Sequence, residues 1–146
     1  MSPAAAAMLT ACAGALVALQ APINSTLGKA AGTFAAASIS FTIGTIALVG
    51  ITALSGSKVD LGAVRDLDWH YLTGGLLGAA YVTTVLVSVR TLGAGGVTAA
   101  TIAGQLTMSV LIDRAGALGL EQKPISVARV AGVALLAAGV FLIVRE

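Results

Sequence analysis

The sequence predicts an all-α integral membrane protein, and two observations lead to that prediction. First, 58% of the 146 residues are hydrophobic and only 10% are Asp, Glu, Lys or Arg, whereas these four make up about 25% of an ordinary soluble domain. Second, the charged residues are clustered, so that five runs contain none of them: residues 1–28, 30–57, 69–89, 91–112 and 130–144. Because about 20 apolar residues cross the hydrocarbon core as a helix, four of these runs are each long enough for one crossing.

Five membrane-spanning helices are therefore expected, in one transmembrane domain. The domain covers residues 1–146, and the helices are predicted at about residues 3–24, 33–54, 71–89, 97–112 and 125–144. The fifth helix reaches spanning length because the side chain of Arg129 extends to the interface. The first helix is expected to kink or end at Pro22, which lacks a backbone N–H donor. Gly93, Gly95 and Gly96 are expected to interrupt the helix and so to separate the third helix from the fourth.

Composition and motifs exclude several classes of function. A net charge of +2, spread thinly, is not the dense basic surface that binds nucleic acid. One cysteine and one histidine form neither a disulfide framework nor a metal site. No nucleophile–base pair, phosphate-binding loop or redox pair is present in the sequence. We therefore expect no enzymatic activity, no cofactor, no bound metal and no nucleic-acid partner, and we expect the lipid bilayer as the surroundings.

Polar side chains inside the predicted helices are the candidates for a substrate site, because an unpaired polar group in hydrocarbon is costly. Gln20 and Asn24 lie four residues apart and share a face if the first helix continues past Pro22. Thr101 and Gln105 likewise share a face of the fourth helix. The two glutamines are the most informative because each carries donors and an acceptor, whereas serine and threonine can bond to their own helix. For Gln105, a role in lining a cavity and a role in bonding helices together both remain open.

Each of the other candidate residues has two possible roles. Gly74 and Gly78 form a GxxxG pair that serves either packing within the chain or contact between subunits, and Tyr81 is either a packed aromatic or part of a cavity. The six acidic residues all avoid the middle of the spans, and Asp113 comes nearest, at the end of the fourth helix. Asp113 is expected to pair with Arg114 or Arg129 at the interface, or to couple transport to an ion.

The distribution of Lys and Arg leaves the orientation in the membrane open. Five spans place five cations on the side of the amino terminus and three on the other: Lys58, Arg65, Arg114, Lys123 and Arg129 against Lys29, Arg90 and Arg145. This small excess favours an amino terminus in the cytoplasm, and it also permits insertion in both orientations, called dual topology.

An ordered set of short motifs supports a family resemblance. They are Gln20-Ala-Pro-Ile-Asn24, Ser40-Phe41-Thr-Ile-Gly44, Gly74-Gly75-Leu-Leu-Gly78-Ala-Ala-Tyr81, Gly104-Gln105-Leu, Leu111-Ile-Asp113-Arg and Arg129-Val-Ala-Gly132. With these motifs, the chain resembles the short bacterial YdcZ-type membrane family of the drug/metabolite transporter (DMT) superfamily.

The resemblance implies a five-helix unit that forms half of a ten-helix inverted-repeat transporter. The other half would be a second copy or a paralogue, bound as an antiparallel dimer in the bacterial cytoplasmic (inner) membrane. Two inverted halves rocking about a central cavity give alternating access to a small-molecule substrate near the midplane. The candidates for lining this cavity are Gln20, Asn24, Tyr81, Thr101 and Gln105.

Two other functions remain open. One is a non-transporting membrane scaffold or accessory subunit that binds another membrane protein through Gly74 and Gly78. The other is a proton-coupled exporter of the small multidrug type, with Asp113 as the coupling group. Small multidrug exporters carry a membrane-embedded glutamate on their first helix, and this chain has none in its first predicted span.

Overall fold

The structure, a computed structural model, describes residues 1–118 and 120–145. It consists of α1 (Pro3–Ala31), α2 (Thr33–Leu54), a short α3 (Leu61–Arg65), a 3-10 turn (Trp69–Thr73), α4 (Gly74–Ala115) and α5 (Val127–Val144). The described residues contain no β-strand. The predicted all-α class is thereby confirmed.

Four helical segments are long and apolar enough to cross a membrane, and the third of them contains two of the five predicted helices. They are Pro3–Ala31, Thr33–Leu54, Trp69–Ala115 and Val127–Val144. The two helices predicted at 71–89 and 97–112 both lie in the third segment, within α4. The backbone at Gly93 inside α4 is not helical, with φ 66° and ψ 173°. The glycine-rich segment therefore separates two helices at a kink, as predicted, and helical backbone resumes directly after Gly93.

The first helix passes through Pro22 and continues to Ala31, which corrects its predicted end near residue 24. Proline removes one helical hydrogen bond, but contacts with neighbouring helices offset such a loss in membrane proteins. The segment after Pro22 contains Asn24, Ser25 and Gly28, which are among the buried residues of α1. Packing therefore holds the helix together where local propensity favours a break.

The chain divides into two compact units, Met1–Arg90 and Thr91–Glu146. In the first unit, hereafter unit 1, α1 and α2 are joined by the single residue Gly32, whose φ of 89° suits glycine. The two helices therefore run in opposite directions and pack against each other. The first part of α4 joins them through a small core of Ala36, Ala37, Val82 and Leu86. Small residues suit this role because they let membrane helices approach closely.

The second unit, hereafter unit 2, contains the second part of α4 and α5. The backbone N–H of Lys123 donates to the carbonyl of Asp113 at 2.8 Å, which ties the connection between the helices to the end of α4. The hydroxyl of Ser126 accepts from the N–H of Arg129 at 3.2 Å and caps α5. At the other end of unit 2, a methyl group added to Gly96 would lie 3.7 Å from Cγ2 of Val144.

Candidate functional site

Burial in unit 1 is confined to one end of its helices. The buried residues lie at residues 21–37 and 82–90, near the turn at Gly32, and we call this part the closed end. They are Ala21, Asn24, Ser25, Gly28, Ala36, Ala37, Val82, Val85 and Leu86. In the rest of α1 and α2, residues 3–20 and 40–54, no described residue is buried, and we call this part the open end. The buried residues of the three helices in unit 1 thus all lie at the closed end.

The glycines show the same contrast at atomic distance. A methyl group added to Gly28 would lie 3.0 Å from Nη2 of Arg90 and 3.3 Å from Cδ2 of Leu86, so the helices touch there. At Gly14 and Gly44 of the open end, the same group would meet no described atom within 4 Å. Small residues therefore permit close contact at the closed end and leave free space at the open end.

A groove begins where the closed end stops. Its volume is about 230 Å³, and it is lined by Gln20 of α1 together with Ser40, Phe41, Gly44, Thr45 and Leu48 of α2. At 1.5 Å per residue, Gln20 and Gly44 each lie roughly 18 Å along their helices from the turn at Gly32. This is near the middle of a hydrocarbon core of ~30 Å when the turn lies at the membrane edge. The groove is thus at the depth where transporters of this construction bind substrate.

Gln20 is the polar group with the largest hydrogen-bonding capacity in this groove. Its side chain is exposed, and an amide offers two donors and an acceptor. Hydroxyl groups elsewhere on α2 are satisfied locally: Thr42 donates to the carbonyl of Ser38, and Thr52 donates to that of Leu48, both at 2.8 Å. A ligand in the groove therefore meets an amide that can both donate and accept.

The other candidates in unit 1 have different surroundings. Asn24 lies one turn from Gln20 on the continuous helix α1, so the two share a face, but Asn24 is only 4% exposed and belongs to the closed end. Tyr81 is half-buried and packs against the core of unit 1. It is not one of the groove-lining residues. Of the GxxxG pair, Gly78 lies against the ring of Phe41, since a Cβ added to Gly78 would be 3.4 Å from Cζ of that ring. A Cβ added to Gly74 would meet no described atom within 4 Å.

Unit 2 contains the remaining candidates. Thr101 is half-buried and Gln105 is exposed, on the second part of α4. Nη1 of Arg129 lies 2.9 Å from Oδ2 of Asp113, and their side chains are 33% and 27% exposed. The carboxylate of Asp113 is thus held in an ion pair with Arg129, while Arg114 accepts at its carbonyl from the amide of Gln122 at 2.9 Å.

Five of the six groove residues were not among the candidates drawn from the sequence: Ser40, Phe41, Gly44, Thr45 and Leu48. Ser40 and Gly44 are small and four residues apart, so one face of α2 is recessed there. That spacing was the available signal. Phe41 lacks any such signal, because an apolar aromatic in a membrane helix looks the same whether it faces lipid, a helix or a groove.

Long apolar helices with few charges define a multi-pass α-helical membrane protein. The chain belongs to the family described as “Putative inner membrane exporter, YdcZ”, whose model matches residues 5–142, and the resemblance drawn from the motifs is thereby confirmed. No curated protein and no solved structure matches the chain. Family and apolar helices together make this a multi-pass inner membrane protein, and the family description names transport rather than an enzymatic reaction.

Proposed function

We propose that the chain is a subunit of a small-molecule transporter that works as an antiparallel dimer with alternating access. The observation that carries this proposal is the groove at Gln20, which is closed toward Gly32 and open toward the other end of α1 and α2. Alternating access requires a site that is sealed on one side and reachable from the other. A scaffold has no need of such a recess at the depth of the membrane midplane.

The proposed topology has five spans, with α4 crossing the membrane twice. The parts of α4 before and after Gly93, residues 74–92 and 94–115, each rise roughly 30 Å at 1.5 Å per residue, which matches the hydrocarbon thickness of ~30 Å. The non-helical backbone at Gly93 is the natural place for the chain to turn back. An odd number of spans gives a second copy, or a paralogue, the inverted orientation that completes a ten-helix inverted repeat.

The central cavity of the dimer is proposed to contain Gln20, Asn24, Tyr81, Thr101 and Gln105. Gln20 and Gln105 supply the hydrogen bonds to substrate, since both are exposed in the chain and carry donors and an acceptor. Asn24 and Tyr81 support Gln20 from the closed end. The face at Gly74, which meets no described atom within 4 Å, is available for contact with the other half.

Proton coupling through Asp113 is not part of this proposal. A coupling carboxylate must exchange its proton between the two sides of the membrane, and Asp113 instead lies in an ion pair with Arg129. None of the residues that line the groove at Gln20 carries a charge. The coupling group of a small multidrug exporter therefore has no counterpart in this groove.

The function is tested by thiol labelling of Gln20→Cys in a Cys12→Ala background, reconstituted in vesicles. A membrane-impermeant thiol reagent is added from one side only. Alternating access predicts that all copies are labelled, because each groove opens to that side in turn. A plateau near half of the copies shows a static antiparallel pair, and no labelling shows a dry core, as expected of a scaffold; either result overturns the proposal.

The topology is tested separately with reporters at the carboxyl terminus, one active only in the cytoplasm and one active only outside it. Dual topology predicts activity from both reporters. Activity from one reporter alone excludes the homodimer and leaves a paralogue as the inverted partner.

A further inference from the structure

A larger groove adjoins the one at Gln20 and shares two lining residues with it, Thr45 and Leu48. Its volume is about 580 Å³, and it follows α2 past Thr52 to Ser57 and Val59 in the connection after that helix. The two grooves therefore form one path along α2, and we call it the α2 path. It leads from Gln20 to the edge of unit 1 opposite Gly32.

The α2 path contains no charged residue. Its lining consists of apolar side chains, hydroxyl groups and the amide of Gln20. Lys58 and Asp60 are nearby in sequence but are exposed and do not line it. A charged molecule would lose its hydration in such a path without gaining a partner of opposite charge, which is strongly unfavourable. The lining therefore favours an uncharged ligand.

The shape and polarity of the path suit a small amphipathic molecule. Small-molecule sites typically have volumes of roughly 300–1,000 Å³, with mostly apolar walls and a few polar groups. The hydroxyl of Thr52 already donates to the carbonyl of Leu48, so its oxygen is left to accept. The amide of Gln20, at the inner end, can do both. A ligand with an apolar body and one or two polar groups matches this arrangement.

The face of α2 opposite the path provides a control position. At about 100° per residue, Ile43 points away from Thr45 and Thr52, and its side chain is 62% exposed. This side chain is suited to lipid.

We propose that the α2 path admits an uncharged amphipathic small molecule to the groove at Gln20 from the edge formed by Ser57 and Val59. The proposal rests on the transporter function above and adds the chemical class of the substrate and its route. Two other occupants, a lipid acyl chain and a helix of the second copy, would exclude water from the path, and the experiments identify them.

The first experiment measures water in the path. Thr45→Cys and Thr52→Cys are compared with Ile43→Cys, each in the Cys12→Ala background, for their rate of reaction with a charged, membrane-impermeant methanethiosulfonate. Thiols react as thiolates, which form in water rather than in lipid, so we expect at least tenfold faster reaction at Thr45 and Thr52 than at Ile43. Equal, slow rates at all three positions mean that lipid or protein fills the path, and they overturn the proposal.

The second experiment measures the charge preference with three fluorescent probes of known charge. These are uncharged N-phenyl-1-naphthylamine, cationic ethidium and an anionic anilinonaphthalene sulfonate. Thr45→Trp, which fills the path, is compared with Ile43→Trp on the opposite face, and Thr52→Phe is a second filling variant. We expect the Kd of the uncharged probe to rise at least tenfold in both filling variants and to stay unchanged in Ile43→Trp.

Binding of the charged probes should be equal in all variants. A loss that is the same for ethidium as for the uncharged probe, or no loss for the uncharged probe, overturns the proposal. Binding at equilibrium does not require alternating access. A half-complete labelling of Gln20→Cys with specific binding of the uncharged probe therefore refutes the transport cycle alone, whereas complete labelling without that binding refutes only the substrate class.

Discussion

The closed and open ends of unit 1 are made from the same kinds of residues but differ in what those residues touch. At the closed end, Gly28 and Ala36 let three helices meet, and Leu86 is fully buried. At the open end, Gly14 and Gly44 lie on equally apolar helices and face no described atom within 4 Å. Hydrophobicity therefore does not decide where this unit packs.

The contrast teaches how a membrane protein leaves room for a ligand. Lipid offers no hydrophobic drive for helices to associate, so close contact depends on local fit. The turn at Gly32 fixes α1 and α2 together at one end, and good fit continues only as far as Ala21 and Ala37. Beyond this point the contact stops, and the groove with Gln20 occupies the space between the two helices.

The largest expected effect is that of Gly28→Leu, which inserts a side chain into the tightest contact of the closed end. The built Cβ is 3.0 Å from Nη2 of Arg90, so the helices must move apart, and overpacking of this kind costs about 1–3 kcal/mol. The midpoint of denaturant-induced unfolding in detergent micelles should fall. Gly14→Leu is the matched control and should leave it unchanged; equal midpoints for both variants would show that the two ends do not differ in packing.

The second effect concerns the turn that holds the closed end together. Gly32 has φ 89° and ψ 153°, a region that side-chain-bearing residues avoid at a cost of about 1–3 kcal/mol. Gly32→Ala should therefore lower stability although the new methyl group meets no described atom within 4 Å. In Gly44→Ala, the backbone is already helical, and alanine favours a helix over glycine by up to about 1 kcal/mol. The unfolding midpoint should therefore fall in Gly32→Ala and not in Gly44→Ala. A shift in the same direction in both variants would contradict the role of the backbone conformation at Gly32.

The helical architecture follows from the sequence because charge is so costly in hydrocarbon. The position of Lys29 and the cluster from Lys58 to Asp68 delimit the first helices without any knowledge of packing. Local rules fail at Pro22, which lies within the continuous helix α1. At Gly93 they hold, since the backbone there is not helical. A pattern of propensities carries no information on the packing that compensates for Pro22.

The candidate site was less predictable than the fold. Gln20 could be singled out, because an amide in a membrane helix is costly unless it bonds to another helix or lines a polar cavity. The sequence does not indicate that the contact between α1 and α2 ends beside Gln20. Because the contact ends there, Ser40 and Phe41 line the groove. Tyr81 packs against the core of the closed end, a contact that composition does not indicate. Where the helices separate therefore decides which polar groups line this groove.

The smallest expected effect is that of Asp113→Asn in unit 2, far along the chain from both ends compared above. Its ion pair with Arg129 is partly exposed, with side chains 27% and 33% accessible, and such pairs contribute about 0–1 kcal/mol. Arg129→Gln should cause the same small loss of stability, and the double variant should lose no more than either single one, because both remove one interaction. Labelling of Gln20→Cys should still go to completion in the Asp113→Asn background at every pH at which the reagent reacts. A drop to half-labelling would instead give Asp113 a part in the transport cycle, and would mean that the opening of unit 1 depends on a charge outside it.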